Sequence, residues 1–432
     1  MTSVPQPSFW DLDVPDYRPR PVPDPRRCDV AVIGAGFSGL ATALFLARLG
    51  RQVTVFEAGR IGGGASSRNG GMVGPSFHKL GMAGLTRAYG AEAAQGLMAA
   101  GMQALDGFEA LVREEGLECD LRLTGRVRGA RSAGDLRAML AECARLKAQV
   151  GLPFEALSQA EIRDHVGSDA YVGGVLYPRD GGVHPKKLVR ALAERAEAAG
   201  AMLLDGCPVT RLRPAPQGHR LETPRGPVLA REVVIASNGY SDARLPTMNA
   251  RVVPIRVTVA ATRALPPAQI RAMSPGLRMH GESGRVFLWS RPTPDGQRFL
   301  FGGRMSSPAR SADRQRRDVA ARVGRLFPAL GPQDFEHVWY GQIAYTRDHA
   351  PHLNRIDGIW HVGGYCGSGV TRSIHFAGKL ARKIAGVPGG DLPFDRLPFP
   401  KVPFRPLAPT VARLMTGYYG WLDERDLRRT GR

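Results

Sequence analysis

Residues 28–57 read CDVAVIGAGFSGLATALFLARLGRQVTVFE, and this stretch decides the fold. Val30 to Ile33 form a short apolar run suited to a buried parallel strand. Gly34, Gly36 and Gly39 follow at G-x-G-x-x-G spacing, and Leu40 to Leu49 make an apolar helix. The three glycines do different things. The first turns the chain sharply, the second lets backbone approach a pyrophosphate, and the third lets helix pack on strand. With Phe37 and Ser38 they form a phosphate turn at a helix N-terminus, where unpaired N–H groups and the helix dipole favour negative charge. Gln52 to Phe56 make a second strand that ends in Glu57, the acid expected about 20 residues on to accept hydrogen bonds from an adenosine ribose. A Gly-rich turn in an ordinary α/β core would explain the glycines but leave Glu57 unexplained. Dinucleotide binding is the expectation.

The chain continues AGRIGGGASSRNGGMVGPSF, with seven glycines between Gly59 and Gly74, so backbone here must pass close to something flat or charged. The run Glu57-Ala58-Gly59-Arg60-Ile61-Gly62, with Gly64-Ala65-Ser66-Ser67-Arg68-Asn69-Gly70-Gly71, resembles the D-amino acid oxidase and sarcosine oxidase superfamily of FAD enzymes, and within it the γ-glutamylputrescine oxidoreductase branch. The resemblance covers nearly all of residues 28–388. It implies that the first motif, with Glu57, Ala58 and Arg60, holds the ADP half of FAD. It also implies that Ser66, Ser67, Asn69, Gly70 and Gly71 run beside the pyrophosphate and isoalloxazine, while Arg68 serves either charge near the flavin or structure.

At 432 residues the chain is long for one core, and its 43% apolar content is that of a globular protein. No run of about 18 apolar residues is present, so no membrane span is expected. The Pro-rich stretch before Cys28 lacks the apolar core of a signal peptide and is expected to be an ordered or semi-ordered arm. Five scattered cysteines without a C-x-x-C pair point to reduced thiols and a cytoplasmic protein. The formal charge is +20, but only seven of the 59 basic residues are lysine and they are spread along the chain. The pattern favours the arginine-rich composition of GC-rich bacterial genomes over a nucleic-acid footprint, and leaves anionic substrates as the second reading.

The expected fold is α/β throughout: a discontinuous Rossmann-like FAD-binding domain at 28–84, 172–246 and 345–388, and a substrate domain at 85–171 and 247–344. The latter is built on a large, mostly antiparallel sheet plus helices. An arm occupies 1–27 and a surface tail 389–432, in which GYYGWLDERDLRR forms at most a short helix. Helices are expected between Leu85 and Val166, with a strand pair over Cys119 to Ala130. His184, in a Gly-Gly-x-His-Pro turn, reads as a loop residue before a helix and not as a catalyst. Cys207 to Leu212 reads as a strand, and the resemblance sets Val209 against the adenine and Asn238-Gly239 at a cofactor turn. From Arg251 long extended runs begin, and period two puts Phe287, Trp289 and Arg291 on one strand face. That face either lines a substrate cavity or forms a core edge. Finally Gly364, Gly367, Ser368, Gly369, Val370 and Thr371 form a Gly-rich turn into a helix, which the resemblance aims at the flavin. Its backbone N–H groups would stabilise the negative charge of the reduced ring.

The resemblance implies oxidation of the C–N bond of an amine or amino acid by hydride transfer to flavin N5, followed by imine hydrolysis. The substrates it suggests are of the γ-glutamylputrescine type or N-substituted amino acids. Orientation matters more in such chemistry than acids and bases. Trp289, Arg291, Tyr345 and Arg372 are the catalytic-site candidates, with Arg304 and Tyr340 beside them. Arginine would clamp a carboxylate through paired hydrogen bonds. Two departures stand out. Ile343 and Ala344 precede Tyr345-Thr346 where relatives carry a flavin-linking cysteine, so FAD is expected to be non-covalent, Cys366 being the remaining thiol in the flavin loop. No lysine occurs between Lys187 and Lys379, where relatives use one to speed reaction with oxygen, so the acceptor is either molecular oxygen or another molecule. A tRNA-modifying flavoenzyme and a non-catalytic flavoprotein subunit are the alternatives.

Overall fold

The computed structural model describes residues 7–429 apart from positions 76, 287, 306, 308 and 309. Phe287, expected beside Trp289, therefore lies outside the described residues. Two eight-stranded sheets organise the chain. The first has a parallel core in the order Met202–Leu204, Val53–Phe56, Arg27–Ile33, Gly226–Ile235 and Ile359–Gly363. His352–Ile356 closes one edge antiparallel, and Arg211–Ala215 with Gly218–Thr223 form a meander against Gly226–Ile235. Val30 and Val32 face a core shared with the helices Phe37–Arg48, Pro185–Ala198 and Gly369–Ala385, while Ala31 and Ile33 enter a second core on the opposite face. Strand period two thus puts both faces of the opening strand in apolar surroundings, as a central parallel strand requires. At Gly39 a Cβ would stand 1.8 Å from the Gly34 carbonyl oxygen, so only glycine lets this helix lie on its strand.

The second sheet runs Phe335–Tyr345, Val253–Thr262, Phe299–Gly303, Trp289–Pro292, Met279–Glu282, Arg126–Gly129, Gly173–Tyr177 and Glu155–Ser158. Its neighbours are antiparallel except Met279–Glu282 with Arg126–Gly129. Phe299, Phe301 and Ala260 pack under the helix Ala312–Val323, and Val259, Ala261, Leu300 and Trp339 pack on the opposite side against Phe9 and Trp10.

Several expectations change here. Gly173–Tyr177 belongs to the second sheet, not to the cofactor-side α/β unit in which the sequence pattern put it. The pair expected over Cys119 to Ala130 is one strand, Arg126–Gly129, with an isolated bridge from Arg122 to Gly182. Cys207 to Thr210 precede a strand that begins only at Arg211: the Cys207 N–H is taken by the Glu57 carbonyl at 2.8 Å and Pro208 has none to give. The tail carries a 22-residue helix, Ala408–Arg429, where a short one was expected. The described part of the arm packs on the body of the chain, with Trp10 fully buried.

Histidines on strands of both sheets, His280 and His361, in a loop, His78, and on a helix, His375, are kept neutral by desolvation. Burial pushes His280 down to about 3 and His78, His361 and His375 down to about 4, from an ordinary value of 6.5. A group whose folded pKa is depressed adds stability above its unfolded pKa and loses it as pH falls towards the folded one. At about 1.4 kcal/mol per pH unit and group, acid exposes the fold to a loss of several kcal/mol. The thermal midpoint is therefore expected to be level above pH 6.5 and to fall steeply from there to pH 4. A midpoint unchanged over that interval would refute buried neutral imidazoles.

Candidate active site

The carboxyl ends of the parallel strands open into one continuous cavity of about 1910 Å³ that extends across the second sheet. Ligands of open α/β sheets bind at this end, where strand order diverges on either side of the first strand. Gly34, Gly36, Phe37 and Ser38 line one end of the cavity, with Glu57, Ala58 and Arg60 beside them. The Glu57 carboxylate is fixed by the N–H groups of Ala35 at 2.8 Å and Gly59 at 2.9 Å. Gly36, the N-cap of the first helix, has no side chain to satisfy the first turn, and a Cβ there would meet Ser66 Oγ at 2.9 Å. Ser66 Oγ instead accepts from the Phe37 N–H at 2.9 Å, joining the phosphate turn to the next loop.

That loop is held from outside. Ser8 Oγ donates to the Ser67 carbonyl at 3.2 Å, Trp339 Nε1 to the Arg68 carbonyl at 2.9 Å, and Trp10 Nε1 to the Asn69 carbonyl at 2.9 Å. One Arg291 nitrogen donates to both the Gly70 and Gly71 carbonyls at 3.1 Å. Five successive carbonyls are thus claimed by side chains from three distant segments. Within the loop, Asn69 Nδ2 donates to the Ala65 and Ser66 carbonyls and its Oδ1 accepts from the Gly71 N–H at 2.7 Å. Asn69, Gly70 and Gly71 line the cavity; Ser67 does not, its hydroxyl donating to the Gly62 carbonyl.

A second helix opens on the same cavity. Gly367, Ser368, Gly369, Val370 and Thr371 line it, and Ser368, the N-cap of Gly369–Ala385, makes no side-chain cap to the N–H groups of this terminus. Gly364 and Gly239 lie behind the wall: the Gly364 N–H donates to Asn238 Oδ1 at 2.9 Å, and a Cβ on Gly239 would face the Ala344 N–H group at 3.4 Å. Asn238 and Val209 reach the cavity. Ser38 Oγ and the Tyr365 hydroxyl, 2.7 Å apart, tie the two helix starts together. The Cys366 thiol is buried and its pKa is raised by desolvation, so it is a poor nucleophile.

Towards the second sheet the wall is formed by Trp289, Tyr345, Arg128 and Arg304. Trp289 leans on the 66–71 loop, since a Cβ on Gly70 would stand 2.2 Å from its ring. The expectation of a clamp at Arg291 is not met: its guanidinium is buried, outside the cavity lining, and spent on the Gly70, Gly71, Val183 and Pro292 carbonyls. The strand face in question therefore changes character along its length, cavity wall at Trp289 and core at Arg291. Arg372 is likewise buried away from the lining, over the Phe394 ring at 5.9 Å, with its pKa pushed down to about 10 by burial. His184 caps the helix Pro185–Ala198, accepting from the Lys187 N–H at 3.2 Å.

Sequence reasoning missed three contributors. Lys79 lines the cavity with its ammonium in contact with the Tyr345 hydroxyl and 4.0 Å from the ring centre. Asp11 of the arm bonds Lys186 and, at 3.1 Å, Arg60, and these cations hold its carboxyl well below the usual range against the opposing burial. Ala412, Met415 and Tyr419 of the C-terminal helix close the far rim. Only a lone lysine beside a Gly-rich loop signalled the first, and nothing local signalled the others. Among the described residues no cluster of His, Cys, Asp or Glu is arranged for a metal, and no helix is long and apolar enough to cross a membrane.

The DAO family, described as FAD dependent oxidoreductase, matches residues 29–383. The chain belongs to that family. Among its relatives, a probable oxidoreductase OrdL of Rhizobium meliloti (strain 1021) is 30% identical over 385 residues, 88% of each chain. The γ-glutamylputrescine oxidoreductase of Escherichia coli (strain K12) is 30% identical over 362 residues, 83% of each. The crystal structure of glycine oxidase from Geobacillus kaustophilus superposes with a TM-score of 0.71 at 26% identity, covering 88% of this chain and 99% of that one. This DAO-family chain is an FAD-dependent oxidoreductase, and its two uncapped helix starts, ribose-side acid and glycine cradle fit that cofactor.

Proposed function

We propose that this enzyme oxidises the C–N bond of an amine or amino acid that carries an anionic group, of the γ-glutamylputrescine or N-substituted amino acid type. The supporting observation is the position of Arg304 and Arg128 on the wall of the same cavity as the cofactor cradle. Burial lowers the pKa of Arg304 from its ordinary value, and Arg128 donates to the Glu282 carbonyl at 3.5 Å. Bound FAD supplies the two-electron acceptor. The chain's own work is positional. Gly34, Gly36 and Ser38, with Glu57 and the 66–71 loop, hold the cofactor. The N–H groups of the Gly367–Thr371 turn would favour the negative charge of a reduced flavin, and Arg304 and Arg128 would receive the substrate anion. His78 and His349 line the cavity and burial depresses both pKa values, so neutral imidazole faces the amine. The oxidised substrate is an imine, which water splits into a carbonyl compound and a smaller amine. Electrons leave to molecular oxygen or another acceptor. FAD is held without a covalent link, and the protein works in the cytoplasm, a reading supported by five buried free thiols.

The test is anaerobic bleaching of the flavin band by γ-glutamylputrescine, N-methyl amino acids and glycine, followed by readmission of air to time the return of colour. No bleaching by any anionic amine would sink the proposal. Arg304→Met is expected to raise KM for an anionic amine by roughly 10- to 100-fold, the loss of one hydrogen bond to a charged group. It should leave kcat and a neutral amine nearly unaffected. An equal loss for both amines would take Arg304 out of anion binding.

A further inference from the structure

Among the described residues, the C-terminal helix Ala408–Arg429 packs one face on this chain and leaves the other exposed. On the inner face, Asp423 is buried and accepts from the N–H groups of Arg285 and Val286 at 3.2 and 3.0 Å, while Thr416 contacts Arg304. On the outer face, Leu407 is 61% exposed, Val411 53%, Leu414 70%, Tyr418 52% and Trp421 55%, with Arg425 stacked on Trp421 at 5.2 Å. These positions, just before and along the helix, are spaced 4, 3, 4, 3 and 4. That is the narrow stripe of a helix–helix seam, unlike the broad apolar face of a helix packed on a globular core. Phe404, 83% exposed, extends the stripe at its start.

We propose that this seam docks a second copy of the same helix, antiparallel, to make a two-fold dimer. Three observations select this occupant. The pattern is self-complementary: antiparallel layers set Leu414 of one copy against Tyr418 of the other, Val411 against Trp421, and Leu407 against Arg425, whose cation also meets Phe404. The area suits it. With about 200 Å² for a large apolar side chain, these exposures leave roughly 700 Å² of apolar surface on one copy. A standard stable interface takes about 800 Å² per partner, and a monomer's largest apolar patch is typically about 300–600 Å². The charge also suits it. Over 408–429 Arg413, Arg425, Arg428 and Arg429 nearly balance Asp423, Glu424 and Asp426, so two facing copies of the helix repel each other little. The inner face of the same helix lines the cavity rim, so docking loads the helix onto the entrance.

The test is sedimentation velocity of the full-length holoenzyme at micromolar concentration in low and high salt. A dimer is expected, and it should tighten with salt, because two copies of charge +20 repel and salt screens them while the apolar seam is unaffected. The Leu414→Glu/Tyr418→Glu double variant, changed only at exposed positions, should be monomeric with unaltered flavin content. A wild type that stays monomeric, a dimer that persists in the double variant, or one that salt dissolves would each overturn the proposal. Pelleting of a monomeric wild type with phosphatidylglycerol vesicles would replace the second copy by a lipid surface.

Discussion

Trp10→Ala is expected to release FAD and to lower the thermal midpoint by several degrees, although Trp10 lies outside the recognised cofactor motif. Its ring is fully buried, packed at 5.3 Å on Phe9 and at 4.6 Å on His184, and its Nε1–H is the partner of the Asn69 carbonyl. Truncation of a buried tryptophan costs about 3–5 kcal/mol in packing. The orphaned carbonyl adds about 1–3 kcal/mol. Part of that loss falls on the loop that lines the cavity, so the FAD dissociation constant should rise on the order of 10- to 100-fold. The two contributions can be separated. Trp10→Phe keeps most of the apolar volume and removes only the donor, so it should retain most of the stability yet weaken FAD binding measurably. Isothermal titration of the apoprotein with FAD, beside thermal scans of both variants, reads each quantity directly. Flavin affinity unchanged in Trp10→Ala would show that the arm covers the loop without shaping it.

The sequence disclosed the cofactor end of this site because its signals are local. Gly34, Gly36, Gly39 and Glu57 act within thirty residues of each other, and each answers a steric or electrostatic demand that few other residues meet. The carbonyl clamps on the adjoining loop were not legible, since Trp10, Arg291 and Trp339 come from segments hundreds of residues apart in part, and a tryptophan in a Pro-rich arm looks the same whether docked or free. Met279–Glu282 escaped for a different reason: a four-residue strand reading MHGE has no alternation, and all four residues are buried. Gly173–Tyr177 misled because GGVLY is an apolar run, which period two cannot assign to one sheet or the other. The C-terminal helix was underestimated because Gly417 and Gly420 interrupt its apolar pattern, yet a Cβ at either would meet nothing within 4 Å. Those glycines lower helix propensity without marking a turn.

Arg291→Met should damage the protein more than loss of any cavity-facing arginine, and in a different way. Its guanidinium is buried, with a pKa pushed down to about 10 by desolvation and the nearby Arg122 charge, so it remains protonated at neutral pH. What holds it there is hydrogen bonding: Nε donates to the Pro292 carbonyl at 3.0 Å, and the terminal nitrogen donates to Val183, Gly70 and Gly71. Methionine replaces much of the volume but strands those carbonyls in a dry interior. Breaking such a buried charged network typically costs about 3–5 kcal/mol. Gly71 cannot compensate by moving, because its φ of +66° and a Cβ position 2.2 Å from the Val183 carbonyl oxygen show how tightly loop and strand meet there. The expected result is a protein that purifies largely without flavin and recovers part of its stability when saturated with FAD, since a ligand that binds only the native state shifts the equilibrium towards it. Saturated with FAD, the variant should keep a near-normal KM for an anionic amine, in contrast to Arg304→Met. A variant that retains flavin but loses only substrate affinity would return Arg291 to the role of substrate clamp, and would mean that the guanidinium leaves its carbonyls when substrate binds.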